Sequence, residues 1–254
     1  GWTTWFAFVT IPPVATVTPV PASPNPFRKE SPMSESTGST PRRDFMASIA
    51  AAAAAVGLGA EAPIAAAAES ASGTEFQKWL DTIGGKYRQV YDAPSPNGGF
   101  ALIWSHVFLM TGAQGYGVPE SDLGVVVVLR HSAIPIAMRD DVWAKYKLGE
   151  YFKIDDPATK APALRNPFAF IKPGDMPLPE AALEKLVARG VRFGVCHTAI
   201  HHQSMRIAKM AGVAHDVVKN DMLAAVIPGV QVVPSGVLAV NGAQTKGCTY
   251  CFAG

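Results

Sequence analysis

The sequence predicts an α/β protein with three layers, α/β/α, around a mainly parallel sheet of about five strands. Short β-branched runs alternate with segments of helical periodicity, which is typical of a parallel sheet covered by helices on both faces. Residues 123–130 (LGVVVVLR) form a continuous apolar run, as in a central strand buried on both faces. Residues 191–196 (VRFGVC) run directly into a helical pattern. Right-handed crossovers would bring the carboxyl ends of such strands to one edge of the sheet.

The spacing of apolar side chains changes from helix-like to strand-like in the first elements of this domain. Residues 76–80 form a short amphipathic lead-in, and residues 86–91 alternate polar and apolar side chains like a strand. Residues 92–99 are a turn cluster rich in Pro and Gly. Residues 100–110 are mostly apolar and long enough for a buried helix.

After the central strand, residues 133–152 carry a helical pattern that is interrupted near Pro135. Residues 153–179 contain many prolines, and we expect an ordered excursion or a lid over the sheet edge. Residues 180–189 predict a short helix that ends at Gly190.

The C-terminal part continues the alternation of strand and helix. The predicted elements are strand 191–196, helix 198–211, strand 230–233, helix 235–244 and strand 248–252.

The N-terminal 32 residues do not resemble the rest of the chain. They are rich in Pro, Thr and Val and follow neither the strand period nor the helix period. Their apolar start ends at Pro12 and is too short to span a bilayer. Met33 is the first methionine, so we expect residues 1–32 to be a non-native or disordered extension upstream of the true start.

Residues 33–68 have the composition of an export signal. Arg42 and Arg43 precede an apolar stretch at residues 47–60 and an alanine-rich cleavage site, which together indicate a twin-arginine signal peptide. We expect residues 69–254 to form the mature domain, periplasmic or otherwise exported by this route, without a membrane span after cleavage. An alanine-rich helix or an N-terminal anchor is the alternative.

The charge balance excludes one class of partner. The chain has a formal charge of +2, with 22 Lys and Arg against 20 Asp and Glu. This near balance gives no basic surface for nucleic acid or for an anionic membrane, so we expect no nucleic-acid partner.

Cys196 is the first candidate catalytic residue, because it lies where a predicted strand meets a predicted helix. The partial positive charge of a helix N-terminus stabilises a thiolate, and ligands bind at this edge of parallel sheets. The alternative is a buried structural cysteine, since free cysteine is among the most buried residue types.

Two histidines are candidate catalytic partners of this thiol. His131 follows the second strand and is expected at the same edge, and His197 is next to Cys196 in the chain. Either could stabilise a thiolate or move a proton. For His131 the alternative is a strand-end histidine bonded to a loop carbonyl.

Asn97, Arg130 and Thr198 are the candidate ligand-binding residues of this edge. The helix from Thr198 would supply N–H groups to an anionic sulfur, and Arg130 directly follows the second strand. The Asn97 turn could cradle a phosphate or serve only as a tight turn.

Cys248 and Cys251 form a C-x-x-C pair near the end of the chain. Three cysteines in an oxidising compartment suggest one pair and one leftover thiol, which would be Cys196. The pair could be a redox couple, half of a metal site or a structural staple. Its place in a terminal strand favours a structural or resolving pair.

A metal site is the rival interpretation of the histidines. His197 and His201 are four residues apart and share a helix face, so with Cys196, His202 or His215 they could bind zinc or copper. The pattern lacks a convergent carboxylate or a second pair. We therefore expect no cofactor and keep the metal as an alternative.

Three stretches resemble the DsrE/DsrF-like sulfur-relay family: residues 125–134 (VVVVLRHSAI), residues 186–196 (LVARGVRFGVC) with the following helix, and residues 227–247 (IPGVQVVPSGVLAVNGAQTKG). The likeness extends over residues 85–254. It implies a compact α/β/α fold, homo- or hetero-oligomers, and sulfur carried as a persulfide on a cysteine after a central strand. Cys196 occupies that position, and His131 matches a histidine that follows the second strand in many single-subunit members.

From these observations we expect an exported sulfur carrier that acts through a persulfide on Cys196. Its partner would be a sulfur donor or acceptor protein, or a small sulfur compound, and the chain would form a homo-oligomer. Two alternatives of other classes remain: a non-catalytic periplasmic protein that binds a small ligand or metal, and a structural subunit of an assembly.

Overall fold

The computed structural model of the chain describes residues 73–254. One sheet contains the strands β1 (Tyr87–Ala93), β2 (Leu123–Leu129), β3 (Arg192–Cys196), β4 (Val230–Val233) and β5 (Thr249–Phe252). The α-helices of this part are α1 (Gly73–Asp81), α2 (Phe100–Tyr116), α3 (Asp140–Lys145), α4 (Leu148–Phe152), α5 (Leu183–Ala188), α6 (His197–Ala211), α7 (His215–Ala224) and α8 (Gly236–Thr245). Short 3-10 turns lie at Asn97–Gly99, Glu120–Asp122, His131–Ala137 and Pro179–Ala181.

The strand order is β4-β3-β2-β1-β5, and every neighbouring pair is parallel. This confirms the predicted three-layer fold. The chain advances in one direction from β1 to β4, so right-handed crossovers place the intervening helices on one face. The return from β4 to β5 reverses direction and places α8 on the other face, where α1 also packs.

Strand β2 lies at the centre of the core, and all seven of its residues are buried. Its side chains alternate between the two faces of the sheet, as in any strand. Val125 and Val127 pack in the larger apolar cluster with α2. Val126 and Val128 pack in the smaller cluster with Trp79 of α1. The continuous valine run is therefore explained by helices on both sides.

Two segments predicted as single helices are divided. Residues 133–152 contain the end of the 3-10 turn His131–Ala137, then α3 and α4. Pro135 lacks the N–H that an α-helix would need, and Lys147 between α3 and α4 has a left-handed φ of 49°. Residues 180–189 likewise divide into a 3-10 turn and α5.

Helix α7 is absent from the sequence prediction. Only Val218 and Met222 are buried on it. An apolar stripe of two residues is too narrow to give a clear helical period.

The Pro-rich segment 153–179 is an ordered excursion that packs into the domain. Phe168 and Met176 are buried in the larger apolar cluster. The Arg165 guanidinium forms ion pairs with Asp175, with Nη2 2.6 Å from Oδ1, and with Asp156 at 2.9 Å. These contacts fix the segment without regular secondary structure.

The predicted extension (1–32) and export signal (33–68) lie outside the described residues. Within residues 73–254, no helix combines the length and apolar character needed to cross a membrane.

Candidate functional site

Asp92, Arg130 and Cys196 lie at the carboxyl edge of the three central strands. Leu129 and Val195 are the last paired residues of β2 and β3, and Arg130 and Cys196 directly follow them. Asp92 on β1 pairs with Val128, whose side chain lies in the cluster with α1 and α8. Because side chains alternate across a sheet, all three residues belong to that same face.

Cys196 is the last residue of β3 and the N-cap of α6. The Ala199 N–H donates to the Cys196 Sγ at 3.2 Å. The sulfur therefore takes the place that a serine or aspartate oxygen fills in many helices. The residue is 6% exposed, so little of its surface at the sheet edge is open to solvent. A negative charge on Sγ would be stabilised by this N–H and by the helix N-terminus.

Arg130 is held by a two-point ion pair with Asp92. Its Nε lies 2.6 Å from Asp92 Oδ1, and its Nη2 lies 2.9 Å from Oδ2. The Tyr250 hydroxyl donates to the same Oδ2 at 3.0 Å. The hydrogen bonds that Arg130 donates to the Asp92 carboxylate are the main cause that raises the pKa of Arg130, and the charge of Cys196 contributes in the same direction. The guanidinium is therefore a permanent cation within electrostatic reach of the thiol.

The N-terminus of α8 borders this cation. A Cβ on Gly236 would lie 2.6 Å from the Arg130 Cβ and 2.9 Å from its Cδ, so the absent side chain leaves room for the arginine stem. Ser235 caps α8 by accepting the Leu238 N–H at 3.3 Å. Two helix N-termini and one arginine thus converge at the edge.

Thr198 has a structural contact at this edge. Its Oγ1 donates to the Pro234 carbonyl at 3.0 Å, and its N–H reaches the same oxygen at 3.4 Å. The residue ties the start of α6 to the end of β4. Its hydroxyl is occupied by this bond, and a ligand-binding role for Thr198 stays a prediction.

His131 and Cys196 both follow or end central strands of the sheet. Within residues 73–254, no hydrogen bond or ion pair joins them. His131 is exposed, and its backbone has a left-handed φ of 50°. A non-glycine residue in this region stores strain, which is common near functional sites.

His197 is buried under α6, at 4% exposure. Burial lowers its pKa, and the Lys219 charge on α7 adds to that effect. Both effects favour the neutral form of the imidazole.

A histidine cluster continues along α6. The His201 ring lies 4.9 Å from the His215 ring and 5.4 Å from the His202 ring, measured between centroids. Ser204 Oγ lies 3.1 Å from His215 Nε2. The buried His201 Nδ1 has no hydrogen-bond partner in the part of the chain that the structure describes. In that part no group of three or more His, Cys, Asp or Glu residues is arranged to hold a metal ion, and zinc or copper binding stays a prediction.

Asn97 lies in the 3-10 turn that follows β1. It is exposed, with a left-handed φ of 39°, in the turn before α2. The turn lines a cavity of about 370 Å³ together with Phe152, Ile154 and Phe168. Asn97 therefore borders the excursion, and a ligand-binding role for it stays a prediction.

Cys248 and Cys251 are free thiols in the structure, as is Cys196. Cys248 is buried in the cluster with α1 and α8, whereas Cys251 packs against the larger cluster on the opposite face. Positions three apart along an extended chain point to opposite sides, which separates the two thiols. Burial raises the pKa of Cys248.

Sequence reasoning missed Asp92, Tyr250 and Gly236. Asp92 was assigned to the turn cluster, whereas it lies within β1. The signal that could have found it is the register of parallel strands, which sets a lone acidic residue at the end of β1 near the arginine that follows β2. Tyr250 and Gly236 come from distant segments and carry no such signal.

Comparisons with known proteins assign no function, so a proposal for this chain rests on the geometry of its site. No protein-family model matches the chain, and no curated protein matches it. Among solved structures, the chain is similar to the protein of unknown function MTH1491 from Methanobacterium thermoautotrophicum, at 17% sequence identity and a TM-score of 0.33. That match covers 65% of this chain and 98% of the other.

Proposed function

We propose that this protein carries sulfur as a persulfide on Cys196. The observation that carries the proposal is the Cys196 Sγ at the N-cap of α6, where it accepts the Ala199 N–H at 3.2 Å. The adjacent Arg130 adds a fixed cation. Both features place positive charge beside Sγ, where it would stabilise the negative charge of a persulfide.

The transfer needs no external oxidant. The Cys196 thiolate attacks the outer sulfur of a donor persulfide, R–S–SH, and a new bond forms between Sγ and that sulfur. The donor S–S bond breaks, and R–S⁻ leaves with the electron pair and takes up a proton. An acceptor thiolate then attacks the terminal sulfur, and Cys196 leaves as the thiolate. The total number of S–S bonds is unchanged in each step.

In this scheme backbone and side-chain groups at the sheet edge stabilise negative charge on the two sulfur atoms of the persulfide. The Ala199 N–H and the α6 N-terminus act on Sγ itself. Arg130 lies next to Cys196 at the sheet edge, and its guanidinium would stabilise the negative charge that develops on the terminal sulfur. His197 is buried and its pKa is lowered, so we assign it a structural role in this scheme.

Peptide-resolved mass spectrometry after exposure to glutathione persulfide tests the proposal. We expect one added sulfur on the Cys196 peptide, removable by reductant, and none in Cys196→Ser. Cys251→Ser is the matched control, because Cys251 is the more exposed thiol, and this variant should load normally. Loading that follows Cys251 instead would contradict the proposal.

The same proposal includes export by the twin-arginine route. Residues 33–68 support it through the arginine pair, the apolar stretch and the alanine-rich end. N-terminal peptide mapping of protein from whole cells and from the periplasm tests it. We expect a mature N-terminus close to Glu69, and an unprocessed N-terminus upstream of Met33 would contradict the assigned start.

The same proposal includes a homo-oligomer, and helix α2 supports it. Its 17 residues include no Lys, Arg, Asp or Glu. Phe100, Ile103, Val107 and Met110 follow each other at spacings of three and four, and all are exposed or half-buried. An uncharged apolar face can meet its own copy across a twofold axis without like charges facing each other.

Light scattering coupled to size exclusion tests the formation of a homo-oligomer. We expect an oligomer at micromolar concentration and dissociation in Met110→Glu, because an isologous contact would oppose two carboxylates. Leu164→Glu is the control, since Leu164 is 60% exposed and lies in the excursion. A monomeric parent protein would contradict the assignment.

A further inference from the structure

We infer that Asp92 is a positioning residue that holds Arg130 beside Cys196, and this inference rests on the sulfur chemistry proposed above. Neither Asp92 nor its partner Tyr250 belongs to a sequence motif that indicates chemistry. Their role follows from how they fix one guanidinium at the sheet edge.

The Asp92 carboxylate is built into the fold. The residue is 5% exposed and accepts three hydrogen bonds, two from Arg130 and one from the Tyr250 hydroxyl. A buried carboxylate is costly unless it is paired and hydrogen-bonded in this way. The two-point contact with a planar guanidinium also fixes the orientation of the arginine, which a lysine could not match.

Arg130 keeps donors for a ligand in this arrangement. Asp92 uses Nε and Nη2, and among the described residues Nη1 has no hydrogen-bond partner. The arginine stem lies against the backbone of Gly236, which limits where the guanidinium can move. The side chain is 28% exposed, so an anion arriving from solvent can reach it.

Two possible roles of Asp92 predict opposite effects. As a simple negative charge near Cys196, it would disfavour an anionic sulfur, and its removal would help the thiolate. As a positioning residue, its removal releases Arg130 from the edge, and the thiolate loses a cation. The sign of the change in thiol reactivity therefore separates charge from position.

The experiment measures the rate of Cys196 alkylation by iodoacetamide against pH, read by peptide mass spectrometry. Asp92→Asn and Arg130→Gln should both move the alkylation profile to higher pH, because an anionic sulfur then loses the neighbouring cation. Tyr250→Phe should move it less and in the same direction. Gly236→Ala should also move it upward, because the new Cβ displaces the arginine stem without changing any charge.

Asp175→Asn is the matched control. Asp175 is also a buried carboxylate in a two-point pair, with Arg165, but it belongs to the excursion. We expect its Cys196 profile to equal that of the parent protein. A shift to lower pH or no shift in Asp92→Asn would overturn the inference. If Asp92→Asn does not fold, an unshifted profile in both Tyr250→Phe and Gly236→Ala would overturn it.

Failure of the inference and failure of the proposed function are distinguishable. Persulfide loading of the parent protein without a shift in the variants refutes the positioning role alone. The predicted shifts without any persulfide loading refute the sulfur-carrier function and leave the positioning of Arg130 supported.

Discussion

Asn166 joins the Pro-rich excursion to the rest of the domain, and its replacement by alanine should destabilise the fold. The residue is 2% exposed. Its Nδ2 donates to the carbonyls of Ile136 and Met138, each at 2.8 Å, and its Oδ1 accepts the Phe168 N–H at 2.9 Å. Asn166→Ala therefore leaves one buried donor and two buried acceptors without these partners.

The expected magnitude follows from those three bonds. A hydrogen bond contributes about 1 kcal/mol net, and an unsatisfied buried partner costs about 1–3 kcal/mol. We expect the free energy of unfolding to fall by about 3 kcal/mol in Asn166→Ala. For a domain of this size that corresponds to a loss of roughly 6–12 °C in Tm.

Urea unfolding followed by circular dichroism measures this change. Asn220→Ala is the control, because Asn220 is exposed on α7 and its change should stay within about 0.5 kcal/mol. A loss below about 1 kcal/mol in Asn166→Ala, with an unchanged slope, would refute the view that this amide fixes the excursion.

Three further predictions concern burial. The pKa of His201 is lowered by burial first and by His215 next, so its contribution to stability is complete above its unfolded pKa of about 6.5 and is lost as pH falls below that value. His201→Leu should therefore flatten the decline in the free energy of unfolding between pH 7.5 and 5.5. Parallel plots of this free energy against pH for the variant and the parent protein would contradict the prediction. Cys248 should resist alkylation in the native protein at pH 8 and react on unfolding, because burial raises its pKa; rapid native labelling, read by peptide mass spectrometry, would contradict the burial. Gly124→Ala should prevent accumulation of soluble protein, since its Cβ would lie 2.1 Å from the Gly84 carbonyl oxygen. A normal soluble yield and Tm would refute the close approach of Gly124 to the Gly84 backbone.

The sheet could be predicted because its strands are marked by local composition. The valine run of β2 and the apolar β3 leave no other simple interpretation. Helix α7 could not be predicted in the same way, since only Val218 and Met222 give its buried side. The division of residues 133–152 depends on Pro135 and on a left-handed residue at Lys147, which a periodicity argument does not contain.

The site could be predicted only in part. Cys196 follows from the strand-to-helix junction, which is local. Asp92 and Tyr250 depend on how β1, β2 and β5 align, and this register is set by tertiary packing. The separation of Cys248 from Cys251 was accessible from the sequence, because an interval of three in a strand places side chains on opposite faces.

The central claim is that Cys196 accepts sulfur and passes it on. The most direct measurement is mass spectrometry of the Cys196 peptide after glutathione persulfide, and again after addition of an acceptor thiol. We predict one added sulfur in the first sample and its loss in the second, with the sulfur recovered on the acceptor. An unmodified Cys196 that also resists thiol reagents would contradict the account, because it would identify a buried structural cysteine.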